Sequence, residues 1–387
     1  MILRSFVRPA LLALALGAPA APVRAETAAS TADCTAPRGW AGVEAAARES
    51  MGTATPGLAI AVACRGEVVF QAGYGTARVE AGAPVVPESV FRLASITKTM
   101  TATVVLKLAD EGRLKLDDRL SVYLPDFPGA DGITLYQLLT HTSGLSDFTN
   151  DPGYPVRKVR DHTTAEMIDW TKALEPRTLF PSGEGWAYSN PGYVLLGAVI
   201  EKVTGQTLEA AYEERLFRPL SLRSMAFDFP GAPPPSFPVQ GYRRAKSGGF
   251  EPAEAISMTL PGPAGSLRAT AADTARFGDA LFGGRVLSSA GLEAMTRAGM
   301  LADGRPNRWG MPKEWREGLG ADYGPGLFID DQAGRRRYWH SGDIDGFNSW
   351  LAHFPDEGVT IVVLRNSESG DPGHGRIQAA VFQALGK

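Results

Sequence analysis

Phe91-Arg92-Leu93-Ala94-Ser95-Ile96-Thr97-Lys98-Thr99-Met100 places a serine hydroxyl one helical turn before a lysine amine. After it, Met100, Val104, Val105, Leu108 and Ala109 recur at helical spacing, and Glu111-Gly112 supplies a stop signal. Ser95 and Lys98 therefore share one face of a helix. Ser95 lies in the first turn, where free amides and the helix dipole favour negative charge. A serine hydroxyl is a poor nucleophile without an adjacent base, and a lysine whose pKa is lowered by burial can be that base or hold it. An isolated S-x-x-K arises by chance in roughly every second chain of this length. Alone it reads as a helix N-terminus with a capping serine and a solvated lysine.

Two further motifs follow in order. Tyr188-Ser189-Asn190 sits in Gly185-Trp186-Ala187-Tyr188-Ser189-Asn190-Pro191-Gly192-Tyr193, and His340-Ser341-Gly342 sits in Arg337-Tyr338-Trp339-His340-Ser341-Gly342-Asp343. Separately, the first reads as a polar turn closed by Asn190-Pro191-Gly192, and the second as a strand ending in a Ser-Gly turn. The three together, in this order, are far less probable as an accident.

On these residues the chain resembles the penicillin-recognising serine hydrolases. The branch is the one related to class C β-lactamases and D-alanyl-D-alanine carboxypeptidases, which also contains esterases and D-aminopeptidases. Secondary landmarks agree: Leu138-Leu139-Thr140-His141-Thr142-Ser143-Gly144-Leu145, Tyr193-Val194-Leu195-Leu196-Gly197 and Gly265-Ser266-Leu267. The resemblance implies a β-lactamase/transpeptidase-like fold without a cofactor or metal, and a small-molecule or peptide substrate, cell-wall peptide included.

It also implies roles. Ser95 attacks a carbonyl and is acylated, while Lys98 and Tyr188 share the proton work, with Lys98 as the cationic neighbour that stabilises a Tyr188 phenolate. Asn190 binds the substrate amide or orients Lys98. The backbone N–H groups of Ser95 and Asp343 form an oxyanion hole, and the His340-Ser341-Gly342 strand lines the cleft and pairs with an extended acyl chain. His340 is a departure, because the lactamases of this family usually carry lysine there. If His340 faces the cleft, its charge changes near its reference pKa of about 6.5, and carboxylate substrates bind better as pH falls. The competing reading is a histidine packed and hydrogen-bonded into the sheet. Three functions stay open: a peptidase or amidase on D-amino-acid peptides, peptidoglycan or β-lactams; a carboxylesterase on small acyl esters; and a non-catalytic penicillin-binding relative.

The wider chain agrees with an α+β enzyme. Its 387 residues allow one large domain or two lobes, and a formal net charge of −3 leaves no basic footprint for nucleic acid. No G-x-S-x-G elbow and no H-E-x-x-H occur, which argues against an α/β-hydrolase or a zinc peptidase. Residues 1–25 read as a signal peptide: Arg4 and Arg8, the short apolar run Ala10–Leu16, then Val23-Arg24-Ala25 before Glu26. Export to the periplasm or beyond follows. Export also favours a bridge between the two cysteines, Cys34 and Cys64, over two free thiols.

Residues 26–387 read as one catalytic domain. Its antiparallel β-sheet is flanked by helices and interrupted by a mostly helical lobe, with the sheet lobe at about 35–105 and 255–387 and the helical lobe at about 106–254. Strands are expected at 57–64, 67–75, 338–340, 347–354 and 359–365, and flanking helices at 38–50 and 376–385. His141 reads as a structural loop histidine, and His162, His353 and His374 lack ligand spacing. Arg335-Arg336-Arg337 reads as a solvated hairpin end, or as a greeting for an anionic substrate. Trp309, Trp315 and Trp339 are candidates to wall the cleft.

Overall fold

Gly57–Cys64 is Gly-Leu-Ala-Ile-Ala-Val-Ala-Cys, and every residue of it is buried. Side chains alternate across a strand, so a strand buried throughout has both faces covered. In the computed structural model, which describes Cys34 and residues 39–51, 55–368 and 373–387, this is the case. Leu58, Ile60 and Val62 face helices α1 (Ala41–Met51) and α6 (His374–Ala384). Ala59, Ala61 and Ala63 face the opposite core, shared with α2 (Ile96–Asp110) and α4 (Ala271–Phe282). The small side chains let α4 come close. Gly278 of that helix lies so near Leu351 and Thr360 that an added Cβ would stand 2.9 Å from each.

The sheet has eight antiparallel strands. They are β1 (Gly57–Cys64), β2 (Glu67–Arg78), β3 (Ala83–Pro84), β4 (Asp322–Gly324), β5 (Leu327–Gln332), β6 (Arg335–Ile344), β7 (Phe347–Phe354) and β8 (Val359–Arg365), in the spatial order β3-β2-β1-β8-β7-β6-β5-β4. The chain leaves the sheet after β3 and returns at β4. Between them run most of the helices, among them α3 (Asn190–Thr204), with two small sheets of two and three strands. The expected α+β class, antiparallel sheet and inserted helices are therefore all present.

The differences are instructive. The strand expected at 338–340 extends over Arg335–Ile344, and β4 and β5 were not foreseen. Gly324, Gly326 and the acidic Asp330-Asp331 hide their strand character in the sequence. Pairing to β6 reveals it, with Asp330 opposite Arg337 and Asp331 opposite Arg336. The arginine run is consumed by ion pairs: Arg337 grips Asp330 with two nitrogens, Arg336 reaches Asp331, and Arg335 binds Glu357. It is not held ready for an anionic substrate.

Cys34 is bridged to Cys64 at the end of β1, with the two Cα atoms 6.3 Å apart. Closing a loop of this length, 30 residues in sequence separation, contributes about 3.6 kcal/mol in the chain-entropy picture. No helix among the described residues is long and apolar enough to cross a membrane. The signal-peptide expectation for residues 1–25 lies outside the described residues.

Candidate active site

Ala94 precedes α2 with φ +46°, the left-handed region that a residue with a Cβ adopts only at a cost of about 1–2 kcal/mol. The strained residue delivers Ser95 to the helix start. The ordinary reading of Ser95 and Lys98 then fails on both halves. The Ser95 side chain makes no capping hydrogen bond, and Lys98 is fully buried rather than solvated.

The Lys98 ammonium nitrogen has three neighbours: Ser95 Oγ at 3.1 Å, Asn190 Oδ1 at 2.7 Å and the Ala264 carbonyl at 2.8 Å. Burial pulls its pKa from 10.5 down to about 7, and the negative charge of Asp147 opposes that shift. Near neutral pH a large share of Lys98 is thus a free amine. The carbonyl oxygens of Asn190 and Ala264 can only accept, so a neutral Lys98 spends its two hydrogens on them. Its lone pair is left facing the Ser95 hydroxyl.

Asn190 is set by α3. Ser189 caps that helix through Gly192 N–H, and Pro191 occupies its first turn. The Asn190 backbone N–H and side-chain Nδ2 both donate to Asp147 Oδ2, at 2.7 and 2.9 Å. This turns Oδ1 toward Lys98. Asp147 is buried and lies just beyond the Thr142-Ser143-Gly144-Leu145 landmark, yet sequence reading passed it over. An aspartate in a polar turn has no local mark of this role. Its partners are 43 residues away in sequence.

Tyr188 hydrogen-bonds Ser95 through its hydroxyl, and its ring lies 4.7 Å from the Lys98 nitrogen. Burial is the leading cause that pushes the phenol above its ordinary value of 10. The expected phenolate stabilised by Lys98 is therefore corrected: Tyr188 keeps its proton and Lys98 gives one up. His141 sits beneath the Tyr188 ring, with centroids 4.4 Å apart, and its Nδ1 accepts the Ser189 N–H. Burial holds His141 well below 6.5, so it is a neutral packing piece, as its sequence context indicated.

His340 calls for a second correction. It borders the cleft but is almost fully buried. Its Nδ1 meets the Ser341 carbonyl, which can only accept, and its Nε2 lies 3.0 Å from the Tyr323 hydroxyl. Burial first, then the nearby Lys98 charge, lowers its pKa to about 3. His340 stays neutral across the physiological range, and no binding gain near pH 6 comes from it.

Gly342 brings β6 against the nucleophile. A Cβ there would stand 2.4 Å from the Leu93 carbonyl and 2.9 Å from Ser95 N. The backbone of β6 thus touches the start of α2 beside the Ser95 amide. Pairing of β6 with β5 stops at Phe328 opposite Trp339, while pairing with β7 continues to Ile344 opposite Phe347. Residues 340–344 therefore present an open strand edge on the cleft side. Ser341 and Asp343 project to the other sheet face from His340 and Gly342, and both border the cavity.

That cavity has a volume of about 820 Å³ and contains Ser95, Tyr188 and Asn190 on its wall. Of the three tryptophans considered, Trp315 and Trp339 line it. Trp339 is buried with its indole N–H on Asp330, and Trp309 stands outside. Ser95, Tyr188, Asn190, His340, Ser341 and Asp343 border this one cleft, with Lys98 buried behind Ser95 and Gly342 packed against the start of α2. Asp147, Glu314 and Tyr323 are additions.

Asp147 yields a test as a positioning residue. Asp147→Asn should lower kcat by about tenfold to a hundredfold by loosening Asn190. Removing the negative charge that sustains the Lys98 pKa should also move the acid limb of the pH–rate profile to lower pH. A purely structural role would leave that limb in place.

Comparison with known proteins supports the same reading. Residues 43–385 match a family model described as Beta-lactamase. Penicillin-binding protein 4 of Amycolatopsis lactamdurans is 33% identical over 331 residues, covering 80% of this chain and 81% of that protein. Esterase EstB of Burkholderia gladioli is 36% identical over 185 residues, covering 44% of this chain and 47% of its own. Among solved structures, a D-stereospecific amidohydrolase from Streptomyces sp. is similar with a TM-score of 0.74 and 27% identity, covering 89% of this chain and 98% of that one.

Proposed function

The chain belongs to the Beta-lactamase family, and from that premise we propose that it is a serine hydrolase that cleaves amide or ester bonds through an acyl-enzyme on Ser95. The observation that carries this is the buried Lys98 amine, its pKa near 7 and its nitrogen 3.1 Å from Ser95 Oγ.

Lys98 takes the Ser95 proton as Oγ attacks the substrate carbonyl. The developing oxyanion is received by the N–H groups of Ser95 and Asp343, a type of contact that contributes a few kcal/mol per donor. When the tetrahedral intermediate collapses, the C–N or C–O bond breaks. The leaving group takes a proton from Lys98, relayed through the protonated Tyr188 hydroxyl. Water then attacks the acyl ester while the same pair accepts its proton; collapse of the second tetrahedral intermediate breaks the C–Oγ bond, frees the acid and returns that proton to Ser95 Oγ. Asn190, held by Asp147, keeps Lys98 aimed. The open edge of β6 at residues 340–344 receives an extended acyl chain as an added strand.

The similarity to a D-stereospecific amidohydrolase favours amides, and that to an esterase favours esters. A fully assembled Ser95/Lys98/Tyr188 set argues against a non-catalytic relative. Neutral His340, where the lactamases carry lysine, argues against efficient β-lactam turnover. The Cys34–Cys64 bridge supports an exported protein.

The test is trapping. Incubation with p-nitrophenyl butyrate and with D-aminoacyl p-nitroanilides, then acid quench and peptide mass mapping, should release the chromophore and place the acyl mass on the Ser95 peptide. A fluorophosphonate should label the same residue. An adduct mapped to another residue overturns the assignment.

A further inference from the structure

We propose that the cleft selects acyl groups that carry a protonated amine beside an apolar or aromatic side chain, and that it turns away carboxylate-bearing ones. This deepens the serine-hydrolase reading and rests on it. The charged side chains on the cavity wall are Asp147, Glu314 and Asp343, all carboxylates. The amine beneath them, Lys98, is occupied by Ser95, Asn190 and Ala264, and His340 is bonded into the sheet. Nearby arginines are engaged elsewhere: Arg337 with Asp330, and Arg308 with Asp322. A substrate carboxylate finds no uncommitted cation on this wall and meets like charge.

The short helix α5 (Lys313–Leu319) sorts its charges by face. Glu314, Trp315, Gly318 and Leu319 face the cavity, the i, i+1, i+4, i+5 stripe of one helical face. Its cations are taken up elsewhere: Lys313 pairs with Glu317, and Arg316 lies over the Trp309 ring. Glu314 is the one charged residue of this helix on the cavity wall. Asp147 already receives two N–H groups of Asn190, and Asp343 receives the Asn348 side chain. Glu314 therefore has the most unspent acceptor capacity. Beside it Trp315 leans toward Tyr188 and Trp186, with centroids 6.3 and 5.4 Å apart. An ammonium group next to Glu314 gains both a carboxylate and an aromatic face, while an apolar side chain packs on Trp315 and Leu319.

Ser95→Ala protein, unable to acylate, separates this selectivity from catalysis. Calorimetric titration would compare phenylalanine amide (ammonium), N-acetylphenylalanine amide (neutral) and N-succinylphenylalanine amide (carboxylate) at low salt. The ammonium ligand should bind at least about tenfold more tightly than the carboxylate ligand, with the neutral one between. The gap should narrow as salt is raised. In the same background Glu314→Gln, at an exposed position, should shrink the ammonium-to-carboxylate ratio by about threefold or more. Equal affinities, tighter binding of either other ligand, or no binding of the ammonium ligand overturns the proposal. Failure of the Ser95 adduct to form, by contrast, overturns the hydrolase reading and leaves the binding order to be judged separately.

Discussion

Ser95→Ala is expected to lower turnover by on the order of 10⁴–10⁶-fold, the scale seen when a hydrolase nucleophile is removed. The structure gives a reason to expect a clean loss. The Ser95 hydroxyl caps nothing, so its removal leaves α2 intact. What disappears is the oxygen that Lys98 and Tyr188 both address. Residual rate above water would come from the backbone N–H pair and substrate positioning alone. Steady-state kinetics on the best ester and amide, beside a thermal melt of the variant, check this. Retention of more than about a tenth of the wild-type rate with an unchanged melt would remove Ser95 from the mechanism.

Loss of the Lys98 amine should cost about 10²–10⁴-fold in kcat/KM, the range for a positioned general base. The pH profile carries the sharper signature. Lys98 works when deprotonated, and its pKa is lowered to about 7 by burial. Below that value the active fraction falls tenfold per pH unit, and above it the rate levels. No second limb from Tyr188 should intrude below pH 10, since burial raises that phenol above its ordinary value. Lys98→Ala should abolish the acid limb together with the activity. Lys98→Arg keeps a cation but cannot yield a free base, so it should not rescue. A flat wild-type profile from pH 5 to 9, or an active Lys98→Arg protein, would show that Lys98 does not act as the base.

The stability side runs the same way in sign. The folded pKa of Lys98 lies below its unfolded value of 10.5, so the unfolded chain binds more protons between about pH 7 and 10.5. This residue therefore makes the protein less stable as pH falls through that window, and the cost is complete below it. A buried amine with three polar neighbours is kept at that cost, which is in keeping with function rather than packing.

Much of this protein was legible in its sequence because the signals are local. The i, i+3 relation of Ser95 and Lys98, the period of Met100 to Ala109, the wholly apolar β1 and the strands at 347–354 and 359–365 follow from neighbours in the chain. So did the three motifs and the cleft they share. The Cys34–Cys64 bridge was also anticipated, there from the expected compartment. What the tertiary structure decided are the protonation states and the sign of the cleft. Those depend on desolvation and on partners distant in sequence. Burial, invisible in the motif, leaves His340 neutral, holds the proton on Tyr188 and frees the amine of Lys98. Asp147 became a positioning residue only when α3 brought Asn190 to it, and the arginine run is paired with β5 and Glu357. Residue types and their order follow from the chain; which of them carry a proton or an unspent charge is set by what folding packs around them.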